Sequence, residues 1–244
     1  MFEFIRVLTL FCLNLIITLP SILFHGTRNI YLKYTTNMYH DIKSLKLGVH
    51  TRKSPILLVL IHGRNGHYTN FNPLVRAIQS NITLRCGILR IDLGSNSGTS
   101  IFDEVEIVRH QLLPYMDSAS QIILIGLSKG GLTAVQYQIT YPDKVSKIIT
   151  ISSPLNGTKV ATYHPTCSVT RNELGYNSPF IQQMKRQANP GIIHSIVPTC
   201  DHIIIPTSSA YLKGSTIYVY KGLASHAGVL HSPEVIYRIL MWLD

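Results

Sequence analysis

The chain has 244 residues, a formal net charge of +10, 45% hydrophobic residues and only 14% charged residues. This composition excludes a disordered chain, and its four cysteines are too few and too scattered for a disulfide scaffold or a paired Cys/His zinc site. The basic residues are dispersed and not interleaved with aromatics. Solubility therefore explains the charge better than nucleic-acid binding does, with an anionic membrane surface as the second interpretation.

The N-terminus begins with an apolar segment. Residues 7–24 carry no charge over 18 positions, which is near the lower limit for a transmembrane helix. We expect residues 1–30 to form an uncleaved signal-anchor or membrane-embedded helix; a cleaved signal and a buried helix of a soluble fold are the alternatives. The basic residues that follow favour a cytoplasmic domain, whereas secretion places it outside, so the localisation is open between membrane-associated and secreted. Residues 31–54 are an irregular polar connector.

From residue 55 to the end, short apolar runs alternate with amphipathic helical patterns. Near-continuous apolar runs predict strands that are covered on both faces. Six such strands are predicted, at residues 56–61, 87–91, 122–125, 147–151, 192–197 and 216–220. Strands that alternate with helices predict an α/β domain over residues 55–244, with a mostly parallel sheet of about six strands and helices on both faces.

Two of the intervening helices have specific sequence signals. Four apolar residues recur on one helical face: Ile101, Val105, Val108 and Leu112. Ser100 precedes them as an expected N-cap. The sequence Ser232-Pro233-Glu234 predicts the start of a final helix that ends at Leu243. Residues 155–190 lack a strand pattern and are interpreted as a lid-like insertion above the sheet.

The third predicted strand runs directly into Gly-Leu-Ser-Lys-Gly-Gly, residues 126–131. This is a G-x-S-x-G pattern between a buried strand and a helix, and it predicts that Ser128 is a nucleophile on a sharp turn. Gly126 and Gly130 leave room for that turn. The backbone N–H of Lys129, at the start of the helix, is then one donor to a developing oxyanion.

The loop after the first predicted strand contains His62, Gly63 and Arg64. With this His-Gly pair the chain resembles the α/β-hydrolase superfamily, and within it lipase-like serine esterases such as triacylglycerol lipases and GPI inositol deacylase-like hydrolases. Residues 154–158 resemble a Pro-x-x-Gly-Ser/Thr stretch of the same proteins. The resemblance covers the chain from about residue 55 to the C-terminus. It implies that the N–H of Arg64 completes an oxyanion hole and that His62 holds the loop in place.

The hydrolase order is serine, then acid, then histidine. Asp201 follows the fifth predicted strand and matches the acid position of the family, where it holds the imidazole in one tautomer. Asp92 is the alternative acid, although it precedes the serine. His226, between the last strand and the last helix, is the expected base. His231, just before the final helix, is its alternative.

Ser128, Asp201 and His226 in this order predict a serine hydrolase that cleaves lipid or other acyl esters through an acyl-enzyme. No cofactor or metal is implied. An acyltransferase or thioesterase with the same triad, or an inactive interaction module, remains an alternative. Lys129 replaces the usual Met or Gln, and its side chain is expected to cover the surface rather than to select anionic substrates. Cys167 and Cys200 can pair if the chain is exported.

Overall fold

The computed structural model describes residues 56–81, 83–94, 99–163 and 168–244. The apolar N-terminal segment, the connector and Cys167 lie outside these ranges, so the expectations for them stay predictions. Cys200 is a free thiol. No helix within the described ranges is both long enough and apolar enough to cross a bilayer.

A six-stranded sheet forms the centre of the described part of the chain, in the order β2-β1-β3-β4-β5-β6. The strands are β1 (Ile56–Ile61), β2 (Cys86–Ile91), β3 (Gln121–Leu127), β4 (Val145–Ile151), β5 (Ile193–Pro198) and β6 (Thr216–Tyr220). All six were predicted, with ends that differ by at most two residues. Every neighbouring pair is parallel. The six carboxyl ends therefore lie along one edge, here called the carboxyl edge.

The connections supply the helices of the fold. They are α1 (Asn72–Ser80), α2 (Ile101–Leu112), α3 (Lys129–Thr140), α4 (Lys159–Thr162), α5 (Ser168–Leu174), α6 (Pro179–Gln187) and α7 (Pro233–Leu243). The predicted face of α2 is buried at all four positions. The Ser100 side chain caps α2 by accepting from the Asp103 N–H, and Ser232 caps α7. Both helix predictions are thereby confirmed.

Helices cover both faces of the sheet, as predicted. On one face α2, α3 and α6 share an apolar cluster with the strands, in which Val105, Leu132 and Ile181 are buried. On the other face α1 and α7 contribute Leu74 and Ile239 to a second cluster. Each such side chain stabilises the fold by about 1.5–3 kcal/mol relative to exposure. These two layers fix the strand ends at which the candidate site lies.

The segment over 155–190 divides into two parts. Its second part contains α6, whose Ile181 and Met184 are fully buried in the first core cluster. This part is the crossover helix between β4 and β5, and therefore belongs to the core rather than to a lid. The sequence obscures it because most positions around the two buried ones are polar or charged. The first part, as far as the structure describes it, contains α4 and α5 near the carboxyl edge, where the Thr158 hydroxyl donates to the carbonyl of Ile203 after β5.

Candidate active site

Ser128 lies on a strained turn between β3 and α3. Its φ of 55° and ψ of −125° are unusual for a residue with a side chain. The Ser128 N–H donates to the Ile151 carbonyl at 2.8 Å, and the Gly131 N–H donates to the Ser128 carbonyl at 3.0 Å. Ser128 is partly exposed, whereas Leu127 and Lys129 on either side are buried. The turn thus presents one serine at the carboxyl edge.

Glycines bring three backbones together around this turn. A Cβ at Gly130 would lie 2.2 Å from the Ile61 carbonyl oxygen, so the start of α3 packs directly on the end of β1. A Cβ at Gly126 would meet the Gly130 carbonyl oxygen at 2.4 Å. A Cβ at Gly63 would lie 2.8 Å from the Ser128 Cβ. The loop after β1 therefore passes beside the serine.

His62 connects that loop to the end of β2. Its Nε2 accepts from the Leu93 N–H at 3.2 Å, so the neutral ring carries its proton on Nδ1, which donates to the Gly63 carbonyl at 2.9 Å. The same carbonyl accepts from the Gly66 N–H at 2.9 Å. These bonds fit the positioning role expected of His62, and they place Arg64 at the rim of the site.

Asp201 and His226 form a buried hydrogen-bonded pair. Asp201 Oδ2 and His226 Nδ1 are 2.7 Å apart, and the Asp201 side chain is 1% exposed. Asp201 Oδ1 accepts from the N–H groups of Ile203 at 2.8 Å and Ile204 at 3.1 Å. Burial raises the pKa of Asp201, but the charge of His226 and these hydrogen bonds outweigh burial and hold that pKa below its usual value. The carboxylate is therefore ionised at neutral pH.

An ionised carboxylate only accepts hydrogen bonds, so the Nδ1 of His226 must donate. The Nε2 of the neutral ring is then left as a proton acceptor. This atom is buried, and no hydrogen-bond partner for it exists among the described residues. The pair thus has one unused basic atom, which is the arrangement that a general base needs.

The strand order places the site residues along the carboxyl edge. Ser128 follows β3, one of the two central strands, while Asp201 and His226 follow the adjacent strands β5 and β6 at one end of the sheet. Asp92 follows β2 at the opposite end of the sheet, and its Oδ1 accepts from the Gly94 N–H instead. His231 ends the 3₁₀ turn beyond His226 and does not make the bond to Asp201.

The expectation for the side chain of Lys129 is wrong. This side chain is buried, and its Nζ lies 2.8 Å from Glu104 Oε1 while also donating to the Thr99 carbonyl. The other Glu104 oxygen accepts from the Thr133 hydroxyl at 2.6 Å. Glu104 lies on the buried face of α2, where its charge requires a partner, so Lys129 turns inward between α2 and α3. Its ammonium neither covers the surface nor faces a substrate.

A second buried carboxylate, at Glu173, was not predicted from the sequence. Both Glu173 oxygens accept from the Ile101 N–H at 3.0 Å, which ties α5 to the first turn of α2. Burial raises the pKa of Glu173, and the nearby Glu104 and Asp103 raise it further against the opposing backbone bond and Lys129. Nothing in the local sequence distinguishes Glu173 from a surface residue.

Two further polar residues near the site were also missed. The His202 ring centroid lies 6.3 Å from that of His226. Burial lowers the pKa of His202, with His226 adding to the effect and Asp201 opposing it, so this second imidazole is neutral at neutral pH. Ser152, directly after β4, has a φ of 48° and a buried hydroxyl that lacks a partner within the described ranges. The Asp-His sequence was a visible signal for His202; Ser152 had none.

The six-stranded parallel sheet and the serine turn at its carboxyl edge define a lipase-like member of the α/β-hydrolase superfamily. Among solved structures, the chain is similar to a gene product of Listeria innocua, with 16% identity, a TM-score of 0.62 and coverage of 78% of this chain and 94% of the other. It is also similar to the monoacylglycerol lipase of Paleococcus ferrophilus, with 21% identity, a TM-score of 0.57 and coverage of 77% and 93%. At these identities the likeness concerns the fold.

Residues 57–213 match the model of the palmitoyl protein thioesterase family. The chain therefore belongs to that family. A curated relative from Escherichia coli, a 2-hydroxy-6-oxononadienedioate/2-hydroxy-6-oxononatrienedioate hydrolase, is 29% identical over 136 residues. That match covers 52% of this chain and 46% of the relative, so the chain spans about half the length of the curated relatives it matches.

Proposed function

We propose that the protein is a serine hydrolase that cleaves acyl esters and thioesters with Ser128, Asp201 and His226. The observation that carries this proposal is the 2.7 Å bond between Asp201 and His226, which leaves the Nε2 of His226 unused at the edge where Ser128 lies on its strained turn. An inactive interaction module has no need for a saturated carboxylate that fixes one histidine tautomer.

The reaction begins when the Nε2 of His226 takes the proton of the Ser128 hydroxyl and Oγ attacks the acyl carbonyl. The negative oxygen of the tetrahedral intermediate accepts from the backbone N–H groups of Lys129 and Arg64. The protonated His226 then gives its proton to the leaving group. Water, deprotonated by the same histidine, releases the acyl group from Ser128 and restores the enzyme.

Family membership favours a thioester of a fatty acyl group as the main substrate. A thiol has a pKa of about 8.5 and leaves more readily than an alcohol, so a triad that can protonate an alkoxide can also release a thiolate. We therefore expect turnover of both ester types. Association with a membrane through residues 7–24 remains a separate prediction.

The test combines covalent labelling with turnover. A fluorophosphonate should modify Ser128, as located by peptide mass spectrometry, and Ser128→Ala should remove both labelling and hydrolysis of matched thioesters and oxyesters of the same acyl chain. Ser118→Ala, at an exposed serine of the same chain, is the control and should retain both. Labelling of another residue, or hydrolysis that survives Ser128→Ala, would contradict the proposal. A hydrolase should release the acyl group as free acid even when an alcohol is added. Transfer of the acyl group to that alcohol would instead indicate an acyltransferase.

A further inference from the structure

Two cationic residues belong to the backbone segments beside the nucleophile, and their side chains have different environments. The ammonium of Lys129 is buried and paired with Glu104. Arg64, on the loop beside Ser128, is only half-buried. Its Nε is buried, yet neither a hydrogen bond nor an ion pair to its guanidinium is formed by the residues that the structure describes. Arg64 is thus the cation at the site whose charge is not compensated.

Four carboxylates near the carboxyl edge, among the described residues, are engaged elsewhere. Their contacts are Asp92 with the Gly94 N–H, Glu104 with Lys129, Glu173 with the Ile101 N–H, and Asp201 with His226. The chain outside the described ranges contains only two acidic residues, Glu3 and Asp41. A partly desolvated guanidinium is stabilised by an anion, and no described carboxylate contacts this one, so an anionic group of a bound molecule fits this point.

The position of Arg64 relates this unpaired charge to the reaction. Gly63 packs so closely on the serine turn that a Cβ there would lie 3.4 Å from Ser128 Oγ. Arg64 is the next residue, and its backbone N–H is the donor assigned above to the oxyanion. The Arg64 side chain is long enough to reach a group a few bonds from the reacting carbonyl.

We propose that Arg64 selects acyl esters or thioesters that carry an anionic group, a carboxylate or a phosphate, close to the scissile bond. This inference rests on the proposed function and names its substrate class. A guanidinium suits the role because its planar array of donors binds both oxygens of a carboxylate or phosphate. The anion can belong to the acyl part or to the leaving group, and the same residue serves either.

The experiment compares anionic substrates with matched neutral ones. The acyl-side pair is a 4-nitrophenyl hemiester of glutaric acid and 4-nitrophenyl butyrate. The leaving-group pair is butyryl-coenzyme A and the S-butyryl thioester of N-acetylcysteamine, which lacks the phosphates. For each pair, the ratio of kcat/KM for the anionic to the neutral substrate is measured in the wild type and in Arg64→Met, Arg64→Lys and Arg76→Met. Arg76 is an exposed arginine on α1 and serves as the control.

The ratio for at least one pair should fall about tenfold or more in Arg64→Met, as expected for loss of one nearby opposite charge. Arg64→Lys should keep part of the ratio, and Arg76→Met should leave it unchanged. The pair that responds identifies whether the anion lies on the acyl or the leaving side. In the wild type, added salt should lower the same ratio, a measurement that needs no variant to fold.

Unchanged ratios in Arg64→Met for both pairs, or an equal fall in Arg76→Met, would overturn the inference while leaving the proposed hydrolase intact. Absence of turnover for every substrate, together with absence of labelling at Ser128, would instead reject the proposed function itself. The two failures are therefore distinguishable in one set of measurements.

Discussion

Two buried acid–base side-chain pairs among the described residues differ in how completely their polar atoms are used. Lys129 and Glu104 have side chains only 5% and 6% exposed, and additional bonds to the Thr99 carbonyl and the Thr133 hydroxyl complete the cluster. In the other pair, Asp201 is saturated, whereas His226 is 14% exposed and its Nε2 has no partner among the described residues. The first pair holds α2 against α3. The second has an atom available for chemistry.

The largest effect, on activity, should come from removing the His226 side chain, whose Nε2 is available for chemistry. His226→Ala should lower kcat/KM for a thioester or oxyester about 10⁴-fold, because Ser128 loses its base and the leaving group its acid. Urea denaturation should show that the variant remains folded. His231→Ala, five residues along the chain, is the matched control and should retain most activity. The reverse pattern would mean that His231 is the base and that the bond between His226 and Asp201 is structural.

An intermediate effect should come from breaking the fully bonded pair of Lys129 and Glu104. Lys129→Met leaves Glu104 as a buried unpaired charge and should lower the free energy of unfolding by about 3–5 kcal/mol. The double variant Lys129→Met with Glu104→Met removes both charges and should recover at least half of that loss, measured by urea denaturation. Lys213→Met, at an exposed lysine, should change the free energy by less than about 0.5 kcal/mol. A double variant less stable than Lys129→Met would contradict this account.

The smallest effect should be a change in stability at low pH. Because the pKa of Asp201 is lowered in the folded protein, its stabilising contribution is fully present above the unfolded value of about 3.9 and is lost as the pH falls through the folded value below it. The stability difference between the wild type and Asp201→Asn should therefore shrink as the pH falls below about 4. Denaturant unfolding over a pH series measures this difference. A difference that grows in acid would show that Asp201 is not ionised in the native state.

Much of the fold was predictable because local patterns and tertiary packing agree. The strands have near-continuous apolar runs, and the cap at Ser100 and the proline at the start of α7 are local signals that the structure uses as expected. Helix α6 was not recognised because two buried residues, Ile181 and Met184, are too few to form a clear stripe in a polar segment.

The candidate site was only partly predictable for a related reason. Ser128, Asp201 and His226 each belong to a recognisable loop, so the positions of these three residues followed from order and resemblance. The environment of Lys129 depends on Glu104, 25 residues earlier on another helix, and no local pattern contains that information. The strained φ of Ser152 is likewise a consequence of packing at the end of β4, which the sequence does not encode locally.

The contacts at Gly63 and Gly130 also have a practical consequence for altering this protein by directed evolution. Any side chain at these two positions would collide with the backbone of the serine turn or of β1, so libraries that vary them should yield mostly inactive clones. The Arg64 side chain faces no such restriction from a glycine contact. Sequence diversity aimed at new substrates is therefore best concentrated there, leaving the glycine framework untouched.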